Sequence, residues 1–335
     1  MAVETSIADI TERAYNALQD RALLVDRSTR LRMRFSGDKA TESLTGLVTS
    51  DVLALAPGKG QYAAALTPKG KVIADLRIFA REGNLLVDVN AAAAPGFLAM
   101  IRKFVNPRLA KYEDVSAQSG DLGVFGGGAA ALLRATLGDA AIPGDAPYSN
   151  ATTTIGGELL LVARVPDFGM DGFDIIGARG VIDEVRARLA AAGAIAETGD
   201  ALTIARIEAG RPEWGEDMDD SLLAQEVDMD RLDAISFSKG CYTGQETVAR
   251  VHYRGHVNRN LRGLRFSEPA VPPAGTEVQD AEGKSVGVVK SGALSPRRGA
   301  IALALIRREV EAGAVLRASW ADHTSSATVE PLPFP

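Results

Sequence analysis

Up to Phe266 the chain mixes strand and helix signals without strict βαβ alternation, and beyond that point the helical signal stops. Such an order does not build a doubly wound parallel sheet, whose crossovers are helices, and it predicts an α+β body followed by a sheet of short strands. Residues 7–18 carry Ile7, Ile10, Ala14 and Leu18 at helical spacing, residues 22–26 and 31–35 read as strands around a turn, and residues 38–47 return to helix. Residues 62–79 read as a hairpin, with apolar runs on both sides of Thr67-Pro68-Lys69-Gly70. A strand at 85–89 follows the Gly83-Asn84 turn, and the helix expected within 91–105 starts near Pro95 and Gly96. Strands recur at 121–125 and 158–165, and helices at 129–137 and 181–192. After the Pro- and Gly-rich stretch 269–275, short strands around Glu282-Gly283 and Arg298-Gly299 predict a small C-terminal β-barrel. The expected division is 1–257, as two interleaved α+β subdomains, and 258–335 as the barrel domain.

Length and composition bound the function. A chain of 335 residues buries a core large enough to need neither disulfide nor metal, and 46% apolar with 24% charged residues excludes a disordered chain. The opening residues carry Glu4, Asp9 and Glu12 and have no basic and apolar signal pattern, so no secretory leader is expected. Apolar runs such as 300–306 fall far short of the roughly 18 residues of a membrane span. Cys241 is the single cysteine, which excludes an internal disulfide and suits a reducing compartment, so the cytoplasm is the expected location. A net charge of −6 argues against a general DNA or RNA binder.

The most informative segment is Ser238-Lys239-Gly240-Cys241-Tyr242-Thr243-Gly244-Gln245-Glu246-Thr247-Val248-Ala249-Arg250. In extended backbone, Lys239 and Cys241 share a face, and an ammonium beside a thiol favours the nucleophilic thiolate. The flanking glycines leave the backbone open to close approach. Lys-Gly-Cys-Tyr-x-Gly-Gln-Glu resembles the motif of the YgfZ family of folate-binding proteins. The likeness extends to Ile235-Ser236-Phe237, Arg254-Gly255, Thr49-Ser50-Asp51-Val52, Lys69-Gly70-Lys71 and Leu76-Arg77-Ile78-Phe79.

That resemblance implies the aminomethyltransferase (GcvT-like) fold, a ring of domains around a channel that holds tetrahydrofolate, and a role in iron–sulfur cluster assembly or repair that reaches tRNA modification through cluster-dependent enzymes. The implied partners are folate and iron–sulfur carrier or client proteins, and the chain is not expected to be an enzyme in the ordinary sense. Cys241, assisted by Lys239, is the implied reactive pair, and a cluster held through Cys241 would be transient and shared with a partner. A carboxylate is expected against the amino-pyrimidine edge of the pterin, with Glu226 the first choice and Asp217 the second. Asn90, Tyr242, Gln245, Glu246, Arg250 and Arg254 complete the expected folate contacts. The alternative is a folate-dependent aminomethyltransferase. That family places an aspartate about two helical turns beyond a Val-Asn-Ala segment; here Val89-Asn90-Ala91 is followed by Ala92-Ala93-Ala94-Pro95-Gly96-Phe97-Leu98, without a carboxylate.

Three further signals carry less. Gly126-Gly127-Gly128-Ala129-Ala130-Ala131 fits a dinucleotide fingerprint but lacks the βαβ context, so it reads as a strand-to-helix turn. His252 and His256 are four apart, yet with one cysteine they cannot close a four-ligand site, so no resident metal is expected. Arg250, Arg254, Arg259, Arg262 and Arg265 fall in a stretch, 247–267, free of Asp and Glu, which suits solvated strand ends or an anion dock. Sparse aromatics there argue against direct RNA reading.

Overall fold

Helix α1 (Ile7–Ala17) leads into β1 (Leu23–Asp26), β2 (Leu31–Ser36), α2 (Ala40–Thr45), the hairpin β3 (Gly60–Leu66) and β4 (Val72–Arg81), β5 (Asn84–Val89) and α3 (Ala94–Phe104) in the computed structural model, which describes residues 7–197 and 199–335. Then come β6 (Lys111–Asp114), β7 (Ser119–Phe125), α4 (Ala129–Leu137), β8 (Asn150–Ile155), β9 (Glu158–Arg164), β10 (Gly172–Ala178), α5 (Arg179–Ala191), β11 (Ile195–Ala196) and α6 (Ala201–Glu208). Helix α7 (Gln245–Arg254) precedes the last strands, β12 (Arg259–Phe266), β13 (Glu277–Gln279), β14 (Ser285–Ser295), β15 (Gly299–Arg307), β16 (Val315–Trp320) and β17 (His323–Glu330). The stretch considered above for a leader lies, through Ser6, outside the described residues.

Three sheets result. One runs β3-β4-β5-β2-β6, the second β11-β1-β7-β10-β9-β8, and the third closes as a barrel in the order β12-β15-β14-β13-β16-β17. Among the ladders of the described residues, only the short β1–β11 pair is parallel, which agrees with the α+β reading. The β4 ladder shows how sequence alternation sets the layers. Ala74, Leu76, Ile78 and Ala80 point into a core with α2 and α3, while Asp75, Arg77 and Phe79 take the opposite face, toward the second sheet. Strand β15 is apolar from Ala300 to Ile306 because both its faces are covered there. Ala302, Ala304 and Ile306 fill the barrel, and Ile301, Leu303 and Leu305 pack into the central core with Tyr15, Leu202 and Phe334.

The glycine run at the β7–α4 turn has a packing reason. A Cβ on Gly127 would lie 2.1 Å from the Gln19 carbonyl oxygen, and one on Gly126 2.3 Å from that of Arg21. The Gly127 and Gly128 amides donate to the Leu18 and Arg21 carbonyls at 2.9 and 3.0 Å. These donors serve the α1–β1 connection, so the turn offers no dinucleotide cradle. Helix α3 begins at Ala94 with Pro95 in its first turn, where the missing N–H costs nothing. No helix among the described residues is long and apolar enough to cross a membrane.

Candidate functional site

Distant sequence motifs meet at the Lys239–Arg250 segment. Segment 236–244 carries no strand; it is a loop that docks on the stretch between α2 and β3. Lys239 is buried, and its Nζ donates to the carbonyls of Thr45, Val48 and Ser50 at 2.5, 2.6 and 2.9 Å while lying 4.8 Å over the Tyr242 ring. Burial pulls the ammonium down to about 8, which still leaves it mostly charged at neutral pH. Thr49 Oγ1 and Ser50 Oγ donate to the Ala234 carbonyl, and the Ser236 amide donates to that of Thr49. Gly244, at φ +87°, is required by close approach, because a Cβ there would sit 2.7 Å from the Thr67 carbonyl oxygen in the hairpin turn. Gly240 has nothing within 4 Å of such a Cβ, so the backbone beside Cys241 is open.

This geometry corrects one expectation. Lys239 points inward and Cys241 is exposed, so the two do not share a face: the segment is a loop, and the i, i+2 rule of extended strands does not apply. Lys239 is a strut that fixes the loop, and Cys241 is the group it leaves at the surface. Tyr242 is buried beneath the ammonium, and burial pushes its hydroxyl up to about 12. Gln245 and Glu246 begin α7, and Glu246, Arg250 and Arg254 are exposed along it. His252 stacks on Phe237 with ring centres 3.7 Å apart, and no group of three His, Cys, Asp or Glu able to hold a metal occurs among the described residues.

A cavity of about 1070 Å³ opens between α1, α6, the β3 edge and the barrel's Arg297 and Phe334. Its walls carry Tyr15, Tyr62, Tyr148, Phe168 and Met170, with Glu208 and Arg211 among the polar groups. Tyr62, Phe168 and Arg211 also line a smaller chamber of about 70 Å³, into which Asp75, Arg77, Asn90 and Asp167 project. Tyr62 and Tyr148 stack with centres 6.0 Å apart at 11°. Glu208 accepts hydrogen bonds from Tyr15 Oη at 2.8 Å and Ser295 Oγ at 2.5 Å, joining α1, α6 and the barrel. Burial, reinforced by Glu208, pushes the Tyr15 hydroxyl up to about 12.

Beneath the chamber lies a buried charge network. The Arg77 guanidinium reaches Asp88 at 2.6 Å, Asp174 at 2.5 Å and Asp167 at 3.0 Å, while Arg27 holds Asp167 at 2.6 Å and Arg30 holds Asp88 at 2.5 Å. Burial opposes ionisation of Asp88 and Asp167, yet these arginines hold both carboxyls below their usual range. Asp121 goes the other way. Its carboxyl oxygens lack hydrogen-bond partners among the described residues, and burial with Asp174 and Asp88 nearby pushes it well up.

Of the two carboxylates expected at the pterin, neither lines the cavity or the chamber. Glu226 accepts the Leu223 amide at 3.0 Å and pairs with Arg259 at 3.1 Å. Asp217 is fully buried, pairs with Arg206, and accepts Ser291 Oγ of the barrel at 2.5 Å. Both are internal ties. Asn90 does reach the chamber, where its Nδ2 donates to Glu213 at 3.4 Å. The sequence reading missed Asp75, Tyr62, Tyr148, Glu208 and Arg211. One signal was available, since charged Asp75 and Arg77 alternate within an otherwise apolar strand.

An α+β body carrying a closed six-stranded barrel, with an aromatic-walled cavity where they meet, defines the glycine-cleavage T-protein class of fold. The chain belongs to that family: residues 3–239 match the GCVT N-terminal domain and residues 259–334 the glycine cleavage T-protein C-terminal barrel domain. It is 30% identical over 347 residues to an aminomethyltransferase of Ralstonia pickettii, covering 96% of this chain and 88% of the relative. It is also 28% identical over 314 residues to the tRNA-modifying protein YgfZ of Klebsiella pneumoniae, covering 89% of each. The crystal structure of the glycine cleavage system aminomethyltransferase T from Bartonella henselae superposes with a TM-score of 0.85 at 22% identity, over 97% of this chain and 89% of that one.

Proposed function

We propose that this protein binds a reduced folate in the cavity, does not transfer aminomethyl groups in glycine cleavage, and serves iron–sulfur cluster assembly or repair through Cys241. The observation that carries the reading is the motif loop, where a buried lysine with three carbonyl partners holds the only cysteine outward on an open backbone. A strut of that kind is a costly way to present an inert residue. The YgfZ-named relative supports the direction, and tRNA modification would follow through cluster-dependent enzymes.

The cavity suits a folate on its own chemistry. Its size accepts a drug-sized ligand, its tyrosines and Phe168 offer faces for a flat ring, and Arg211, Arg231 and Arg297 offer cations to carboxylates. Glu208 is the carboxylate best placed for a pterin edge. Asp171, also on the wall, is committed to Arg164 at 2.6 Å, and Asp233 is exposed. In calorimetry with tetrahydrofolate, Glu208→Gln is expected to weaken binding by about 1 to 3 kcal/mol, and Glu226→Gln to leave it unchanged. The reverse pattern moves the pterin to the Arg259 side of the molecule.

The aminomethyltransferase reading has equal support from relatives such as the Ralstonia protein, and what opposes it is the absence of a carboxylate in 92–98. A glycine-cleavage reconstitution decides between them, since robust transfer by this chain removes the accessory reading. In cells lacking the protein, a Cys241→Ser copy is expected to fold and bind folate but not to restore cluster-enzyme activities. Full complementation by the serine copy would show that the thiol has no role.

A further inference from the structure

Five aspartates gather where the first and second sheets face each other, and four of them have arginine partners: Asp88, Asp167 and Asp174 at hydrogen-bonding distance, Asp121 at 4.0 Å. Asp75 makes no ion pair among the described residues. Its Oδ2 accepts the Tyr62 hydroxyl at 2.9 Å, and its Oδ1 is buried with no hydrogen-bond partner among those residues. The titratable and charged groups around it are Tyr62 from β3, Arg27 and Arg30 ahead of β2, Arg77 on its own strand, Asp167 after β9, and Arg206, Arg211 and Glu213 from α6 and the segment after it. The cations are engaged elsewhere: Arg27 on Asp167 and Asp174, Arg30 and Arg77 on Asp88, Arg206 on Glu213, Glu216 and Asp217, and Arg211 toward Tyr148 Oη at 3.4 Å. Asp75 is thus a carboxyl on a chamber wall with one oxygen unmatched.

We propose that Asp75 is a proton-bearing carboxyl group that recognises a basic ligand nitrogen in the inner chamber. A buried carboxylate oxygen without a donor is costly, and a proton on Oδ1 converts it into a donor in need of an acceptor. Burial, opposed by Arg30 and Tyr62, shifts the carboxyl upward in the same direction. A nitrogen lone pair either accepts the Oδ1–H bond or takes the proton. In the second case an N–H bond forms as the O–H bond breaks, leaving a carboxylate–ammonium pair with Oδ2 still on Tyr62. The arrangement is held against strain: Tyr148, whose ring stacks on Tyr62, has φ +62°, a conformation bulky residues rarely adopt. Gly60 makes room for it, since a Cβ there would lie 2.3 Å from the Tyr148 carbonyl oxygen. The placement also supplies a carboxyl group to a chamber wall shared with Asn90, although segment 92–98 carries none.

The identity of the ligand as a reduced folate rests on the proposed function; the protonation of Asp75 does not. The infrared difference spectrum between the full-length protein and its Asp75→Asn variant at pH 7 is expected to show the carbonyl stretch of an unionised carboxylic acid. Tyr62→Phe, which keeps the carboxyl and removes its hydrogen bond, is expected to shift that band. Tetrahydrofolate titrated by calorimetry in buffers of different ionisation heat is expected to bind the wild type without net proton exchange, because the proton stays within the Asp75–nitrogen pair, and to bind Asp75→Asn about tenfold or more weakly. A carboxylate band in place of the acid band, or equal affinity of both proteins for tetrahydrofolate, overturns the proposal. If the acid band is present but tetrahydrofolate does not bind the wild type, the folate reading fails while the proton-bearing Asp75 is upheld.

Discussion

Arg77→Met is expected to destabilise the protein by about 3 to 5 kcal/mol, seen as a lower urea midpoint, because it removes the common partner of Asp88, Asp167 and Asp174 and leaves these buried carboxylates to share Arg27 and Arg30. The pairs themselves are no measure of net stability, since bringing these charges out of water is expensive. What the variant exposes is the penalty of the half-broken network. Arg34→Met is the control. Its pair with Glu113 is about half exposed on both sides, and its loss should leave the urea midpoint nearly unchanged. The gap between wild type and Arg77→Met should narrow in acid. Asp88 and Asp167 titrate lower folded than their unfolded value near 3.9, so their pairing contributes above about pH 4 and is lost as pH falls through the folded values. A loss below about 1 kcal/mol at neutral pH would mean that the network relaxes or hydrates around the missing group.

Lys239→Met is expected to cost about 2 to 4 kcal/mol, since three backbone carbonyls lose a charge-assisted donor in a place water reaches poorly. Methionine fills much of the lysine stem's volume, which isolates the hydrogen bonds from packing. The loop carrying Cys241 should loosen before the rest of the molecule does, so amide hydrogen exchange in 236–244 is expected to accelerate even where the variant remains folded. Unchanged exchange there, with an unchanged urea midpoint, would show that the carbonyls find other partners and that Lys239 is not the strut. Both outcomes are independent of folate and of any client protein.

The two predictions separate what a local reading of the chain reaches from what it does not. The hairpin at 62–79, the C-terminal barrel and the strand-to-helix glycine turn were legible because each depends on residues a few positions apart. The motif around Cys241 was legible as a pattern. Its partners were not: Thr45, Val48 and Ser50 lie nearly two hundred positions earlier, and only folding brings their carbonyls to one ammonium. The assumption of extended backbone placed Lys239 beside Cys241, whereas the loop turns one inward and the other out. The pairing of Glu226 was hidden for the same reason, because Arg259, which engages it, enters from the barrel.

By itself, the sequence determined the α+β class, the barrel, and the face that each strand residue takes, since side-chain alternation is a property of the strand alone. It put Asp75 and Arg77 on one side of β4. Only the tertiary structure decided that Arg77 meets Asp174 of the second sheet and that Asp75 forms no ion pair among the described residues, because the charge state of a buried group depends on which distant side chains share its low-dielectric surroundings.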